Sequence, residues 1–393
     1  MKKCGAIVLG GDYQGLGIIR TVGKKGIPVY LLDSGPSIGK VSKWTTRSFI
    51  YKESSLIEFL LVLAEQEKLN GWVIYPTTDE LVKLLAINKK KLEKYYKIPT
   101  PKWEITQILY NKKLTYKLAE KIGIPIPKTY YPEVGAIHEL PLQFPVIIKP
   151  LFKGIFYEKT KKKAFKVRNK KEFIEKIELV RKLPLQLNEV MIQEIIPLTK
   201  SQTVRISNLY SFCSLFKEGK VLAKLSARRL RQHPMEFGRA STFVETVDIP
   251  ELEELGTKFL SQVNYYGLSE IEFIWDPRDK TYKLLEVNAR TWGWHTLGSK
   301  AGVDFPLLLY KDLVEENVVA TYELPLRKNV QWIRLLTDTG LVVYEILRGK
   351  MKIWDYVSSL KGEKEYAVWS LRDPLPFVFE IFLLPWLFKT RGF

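Results

Sequence analysis

Apolar positions along the chain begin as short runs separated by glycine and proline. Ala6-Ile7-Val8-Leu9 stops at Gly10-Gly11, helical spacing follows through Gly17-Ile18-Ile19-Arg20, and Ile27 to Asp33 resumes an extended pattern. This is a strand, a helix and a strand. Leu56 to Gln66 carries apolar residues at helical spacing, Val73 to Pro76 predicts another strand, and Asp79 to Asn88 another helix. An α/β unit of about 100 residues results, closed by the Pro99-Thr100-Pro101 linker.

Beyond the linker the pattern changes. Lys112 to Ile122 predicts a helix ended by Gly123, and the prolines at 125 and 127 enforce extended chain. Phe144 to Pro150 predicts a strand with Lys149 near its end, followed by a basic stretch from Lys159 to Lys171, an amphipathic helix from Glu172 and a strand over Val190–Glu194. The basic run Arg228 to His233 predicts a loop among short strands, and Glu251 to Val263 a helix. Glu270–Trp275 and Tyr282–Val287 predict two strands of a hairpin, turned by Asp276 to Lys280. Pro374 to Phe388 is almost wholly apolar but shorter than the roughly 20 residues that span a bilayer. It predicts a helix docked on the body, a dimer contact, or a peripheral membrane contact with Lys389 and Arg391 against anionic lipid.

Composition narrows the class. The 393 residues are 46% hydrophobic and 12% aromatic, which a disordered chain does not carry. Lys and Arg number 62 against 43 Asp and Glu, a formal net charge of +19 that suits anionic partners. No signature of a common nucleic-acid module accompanies that charge, so nucleic acid is not the expected partner. Cys4, Cys213, His138, His233 and His295 lie far apart and make no disulfide or metal pattern. The apolar run after Lys2-Lys3 is too short for a signal peptide, so the expected compartment is the reducing cytoplasm.

Two constellations could carry chemistry. The loop Gly10-Gly11-Asp12-Tyr13-Gln14-Gly15 sits between a strand and a helix, with Asp33 ending the next strand. A bound dinucleotide, a substrate contact at Gly11 and Gly15, and a structural tight turn all fit it. The second constellation is Glu272 on one hairpin strand with Glu286, Asn288 and Arg290 on the other. Alternate residues share a strand face, so these side chains gather beside Glu270. Oxygen ligands on adjacent strands suit magnesium, and manganese fits the same set; Arg290 could hold a phosphate as a planar fork. The competing reading is a solvated strand face with cross-strand ion pairs.

The order Lys112, Gly123-Ile124-Pro125-Ile126-Pro127, Phe144 to Pro150, Gln193-Glu194-Ile195-Ile196-Pro197, Glu272 and Glu286-Val287-Asn288-Ala289-Arg290 resembles the ATP-grasp superfamily over residues 1 to about 315. Within it the chain looks most like the carboxylate-amine ligases related to the carbamoyl-phosphate synthase large subunit. The resemblance implies an α/β and α+β ATP-grasp fold. Its parts would be a Rossmann-like preATP-grasp domain (1–103), a first subdomain with a lid (104–192), a second subdomain with the metal site (193–318) and a small C-terminal extension (319–393). It implies ATP held by Lys112 and Lys149, adenine read along Gln193, Glu194, Ile195 and Ile196, and magnesium on Glu272, Glu286 and Asn288. It places the γ-phosphate or acyl phosphate on Arg290, a substrate carboxylate on Arg231 and a substrate contact at Asp79. Trp292 reads equally as lining the substrate pocket or as core. The loop Leu151 to Phe156 holds one glycine where the pattern has several, which implies an altered lid. The implied reaction joins a small carboxylate to an amine or ammonia. A nicotinamide-dependent oxidoreductase and a non-catalytic, membrane-associated nucleotide-binding protein are the rival readings.

Overall fold

Strands fall into three sheets in the computed structural model, which describes residues 4–132, 140–152, 155–197, 199, 208–235, 238, 240–314 and 326–391. The first is parallel, with β1 (Ala6–Leu9), β2 (Val29–Asp33), β3 (Arg47–Ile50), β4 (Trp72–Pro76) and β5 (Tyr96–Lys97) in the order 3-2-1-4-5. Its central strands are buried on both faces, hence their continuous apolar runs. The order reverses between β1 and β4, and the carboxyl ends there, Leu9 and Pro76, open toward the rest of the molecule.

A small antiparallel sheet follows: β6 (Thr129–Tyr130), β7 (Val146–Pro150), β8 (Phe165–Val167) and β9 (Val190–Glu194), in the order 6-9-7-8. The basic stretch is therefore divided. Ile155–Thr160 is helical, β8 alternates buried Phe165 and Val167 with exposed Lys166, and the next helix starts at Lys170, capped by the Asn169 side chain.

The largest sheet is built from β10 (Leu209–Lys217), β11 (Lys220–His233), β12 (Ala240–Val247), β13 (Gly267–Asp276), β14 (Thr281–Asn288), β15 (Gln331–Ile333) and β16 (Lys364–Tyr366). One face packs Phe212, Phe216, Phe273 and Leu284 onto Leu252, Phe259 and Leu260 of the helix Pro250–Gln262. The other meets the parallel sheet through Cys213, Leu225, Val244, Trp292 and Trp332.

The expected loop at Arg228–His233 is instead the end of β11. Its backbone pairs with β12, and its cations are compensated: Arg228 by Glu245, Arg229 by Glu272 and Arg231 by Asp338. Charge marked these residues as a loop only because their partners lie far away in sequence.

After residue 326 the chain extends the large sheet with β15 and β16 and then returns to the parallel sheet. Arg20 donates through Nε to Asp373 at 2.9 Å, and buried Arg334 holds buried Glu380 at 3.1 Å. The helix Leu375–Arg391 packs Phe377, Phe379 and Leu383 on the core while leaving Val378 and Phe382 exposed. Trp386, half-buried, lies beside Gly35. No helix among the described residues is long and apolar enough to cross a membrane.

Candidate active site

The hairpin register creates the acidic core. Glu272 on β13 stands opposite Glu286 on β14, and Glu270 opposite Asn288. Asn288 Nδ2 donates to both Glu270 and Glu272 at 3.2 Å, and Ser211 Oγ on β10 donates to Glu270 at 3.0 Å. Burial, with Glu272 adding to it, pushes the Glu270 carboxyl up to about 7 against the opposing pull of Arg229 and Arg290. Carboxylates gathered in a part-buried place need positive charge.

Four cations supply it from separate elements. Lys112, at the start of the helix Lys112–Lys121, reaches Glu286 at 2.9 Å. Arg229 on β11 meets Glu272 at 3.0 Å. Arg290 donates through Nη2 to Asn288 Oδ1 at 3.1 Å and through Nε to Asp79 at 2.7 Å, which ties the site to the parallel sheet. Burial alone would lower its guanidinium, but Asp79 and the Glu270–Glu286 cluster hold it above its ordinary value.

Lys149 on β7 approaches from the small sheet. Its Nζ donates to the Tyr116 hydroxyl at 3.2 Å, and that hydroxyl donates to the Leu285 carbonyl at 2.8 Å. Burial pulls the Lys149 ammonium down to about 8, while Glu286 and Glu272 draw it upward. A shallow depression lined by Asp79, Lys112, Glu286 and Ala289 opens beside the cluster.

The segment expected to read adenine leaves the small sheet at the end of β9. Gln193 is buried and donates to Thr129 Oγ1 at 2.8 Å. The Glu194 carboxylate accepts from the Lys128 amide at 2.8 Å and pairs with Arg278 at 2.6 Å, so it is turned toward the outer edge of the hinge. Ile195 follows, and Ile196 enters an apolar cluster with Leu209, Ile274 and Leu341.

Several expectations change. Arg231 does not face the acids: an irregular register between Arg229 and Arg231 sends it to the far side, where it is buried, stacks on Phe243 and clasps Asp338 through Nε at 2.8 Å and Nη2 at 2.7 Å. Trp292 is fully buried, edge-on to Trp294 and Phe305, and belongs to the core. Asp79 is the partner of Arg290. The Gly11 amide donates to Asp33 Oδ2 at 2.6 Å, and a Cβ on Gly15 would stand 1.9 Å from the Gly10 carbonyl, so both glycines serve close packing. Asp33 also accepts from the Gly35 amide at 3.3 Å, and Thr77 Oγ1 lies over Gly10. The lid residues 153 and 154, and residues 198 and 200 beyond the hinge, lie outside the described residues.

Three participants were missed. Arg229 follows from strand alternation, since Ala223, Leu225 and Ala227 already mark the inward face of β11. Tyr116 is four residues after Lys112 on one helix face. Glu270 shares its strand face with Glu272 and had been given no task.

Residues 226–311, which contain Arg229, the paired glutamates, Asn288 and Arg290, match the family model described as carbamoyl-phosphate synthase L chain, ATP binding domain. The chain is 26% identical over 253 residues to a D-aspartate ligase of Enterococcus faecium, covering 61% of this chain and 58% of that protein. Over these parts of its length the chain is similar to ATP-grasp ligases. Its ATP-grasp fold matches an L-amino acid ligase from Bacillus licheniformis with a TM-score of 0.61 at 14% identity, over 80% of this chain and 75% of that one. It also matches the biotin carboxylase domain of Hydrogenobacter thermophilus 2-oxoglutarate carboxylase, solved with MgADP and bicarbonate, with a TM-score of 0.64 at 15% identity, over 84% and 74%.

Proposed function

We propose that the chain is an ATP- and magnesium-dependent ligase that joins a small carboxylate to an amine or ammonia through an acyl phosphate. The observation that carries this reading is the pairing of Glu272 with Glu286 across the hairpin, ringed by Lys112, Lys149, Arg229 and Arg290. The relatives support it with ligase activity at one and bound MgADP at another.

Two carboxylates and an amide oxygen are the donor types a hard cation takes; here Asn288 Nδ2 is held by the acids and Oδ1 faces Arg290, so the amide would have to turn over to add its oxygen to the carboxylates. Among the described residues no three His, Cys, Asp or Glu form a preformed cage; magnesium bound here would complete its shell with water and phosphate. Bound there, magnesium or manganese would neutralise phosphate charge. Lys112 and Lys149 would then hold the α- and β-phosphates, with Gln193 to Ile196 beside the adenine.

The substrate carboxylate oxygen attacks the γ-phosphorus, the bridging bond to ADP breaks, and Arg290 stabilises the transferred phosphoryl group. The neutral amine attacks the acyl carbon, phosphate leaves with the bonding pair, and the nitrogen releases a proton. Arg229 takes the carboxylate-binding role first expected of Arg231, because its guanidinium lies on the acidic face and its buried Nε has no hydrogen-bond partner. The division at 103, 192 and 318, the Rossmann-like character of the first unit, a cytoplasmic site of action and a homodimer belong to the same reading.

An ADP-release screen of carboxylates against amines tests the proposal, with Glu286→Gln and Arg290→Ala as controls. Release that depends on both residues is expected. Activity that survives both substitutions overturns the site. Stabilisation by NAD in place of ATP with magnesium favours the oxidoreductase, and no release with any acceptor favours a non-catalytic protein.

A further inference from the structure

The helices Leu335–Leu347 and Ile353–Ser359 form a pair at the outer side of the large sheet. The first buries Asp338, Leu341, Val342 and Glu345 and is fixed to β11 by the Arg231–Asp338 pair. A hydrogen bond of 3.0 Å between the Thr339 and Tyr356 hydroxyls holds the two helices side by side. The rest of the surface is unlike an ordinary solvated face. Val343, Tyr344, Leu347, Ile353, Trp354 and Val357 are all exposed, Leu347 by 81% and Trp354 by 74%.

Cations are interleaved with these apolar side chains. Arg348, Lys350 and Lys352 are exposed in the connection between the helices, and Arg348 donates to the Tyr344 hydroxyl at 3.0 Å while lying over its ring. Of the nearby acids, Glu345 is buried and Asp355 is half-buried. The tip therefore offers solvent an excess of positive charge around an aromatic and aliphatic centre. It is made of the end of the first helix and the start of the second.

We infer that this tip docks the protein on an anionic lipid bilayer, with Leu347, Ile353 and Trp354 entering the interfacial layer and Arg348, Lys350 and Lys352 against acidic headgroups. Apolar area and cationic charge add in such binding, and tryptophan favours the membrane–water boundary. The inference is independent of the ligase reading.

The full chain is to be sedimented with vesicles of phosphatidylcholine alone and of phosphatidylcholine with phosphatidylglycerol. Binding to the anionic vesicles only, weakened by added salt, is expected. Trp354→Ser and the double substitution Lys350→Glu/Lys352→Glu should each lower partitioning at least about tenfold. Both sets of side chains are exposed, so the melting temperature should be unchanged; if Trp354→Ser lowers it, the charge variant decides. The inference fails if neither vesicle binds, or if both variants partition like the parent. It also fails if light scattering reveals a dimer that the substitutions dissociate, since a second copy would then cover the surface.

Discussion

Lys149 and Arg229 give the site its sharpest single-residue consequences. Burial holds the Lys149 ammonium near 8, so it is charged at pH 7 and largely neutral at pH 9. Phosphate binding needs the charged form, and about a tenth of it remains one unit above the pKa. Metal-free ATP affinity measured by calorimetry should therefore fall by up to about tenfold from pH 7 to pH 9, and a Lys149→Met variant should lose that slope. Arg229→Ala should reduce ADP release by about 10²- to 10³-fold, the usual loss on removing a charge-stabilising donor. Arg231→Ala should instead lower the melting temperature without touching the acidic face, because its guanidinium serves packing. The sequence placed both arginines in one basic run but could not say which faced the acids. That depends on a register irregularity in β11, and the irregularity depends on the pairing with β12.

At the scale of elements, the helix Leu335–Leu347 is held to β11 by an ion pair with both members essentially out of solvent. Removing one member leaves a buried charge, at a cost of about 3–5 kcal/mol. Asp338→Asn should lower stability by that order in a urea titration while the hairpin glutamates stay paired. The turn of the acidic hairpin behaves differently. Arg278 foremost, with Lys283, holds the Asp276 carboxylate below its ordinary range. A carboxylate depressed by folding contributes stability that is full above its unfolded value, about 4, and is lost as pH falls through the folded one. Asp276→Asn should weaken the protein at neutral pH and flatten its acid-unfolding curve below about pH 4. The hairpin itself was legible from Glu270 to Val287, since alternation and a turn are local signals. The Glu272–Glu286 pairing was inferred from the same alternation, whereas Arg290 reaching Asp79 across 211 positions was not.

The whole molecule is closed by its own C-terminal segment. Arg20 in the first helix and Arg334 after β15 are buried cations whose partners, Asp373 and Glu380, lie within the last 21 residues. Asp373→Ala should therefore destabilise the parallel sheet far from any substrate, by about 3–5 kcal/mol, seen as a lowered melting temperature. The apolar run that ends the chain was recognisable in the sequence as a helix. Its docking on the body was one of three readings; the Glu380–Arg334 pair draws one face inward, while Val378 and Phe382 stay exposed on another.

Local order was thus set by the sequence alone: the strand–helix–strand start, the linker at Pro99–Pro101, the helix at Lys112 and the acidic hairpin follow from periodicity, glycine and proline. Those signals act over a few residues, so they survive without tertiary context. Which charges meet was decided only by the tertiary structure, because a guanidinium or ammonium has no local preference for one distant carboxylate. It is the packing of the parallel sheet, the small sheet and the large sheet that brings Asp79, Lys112, Lys149 and Arg229 to the Glu272–Glu286 pair, and turns Arg231 and Trp292 away from it.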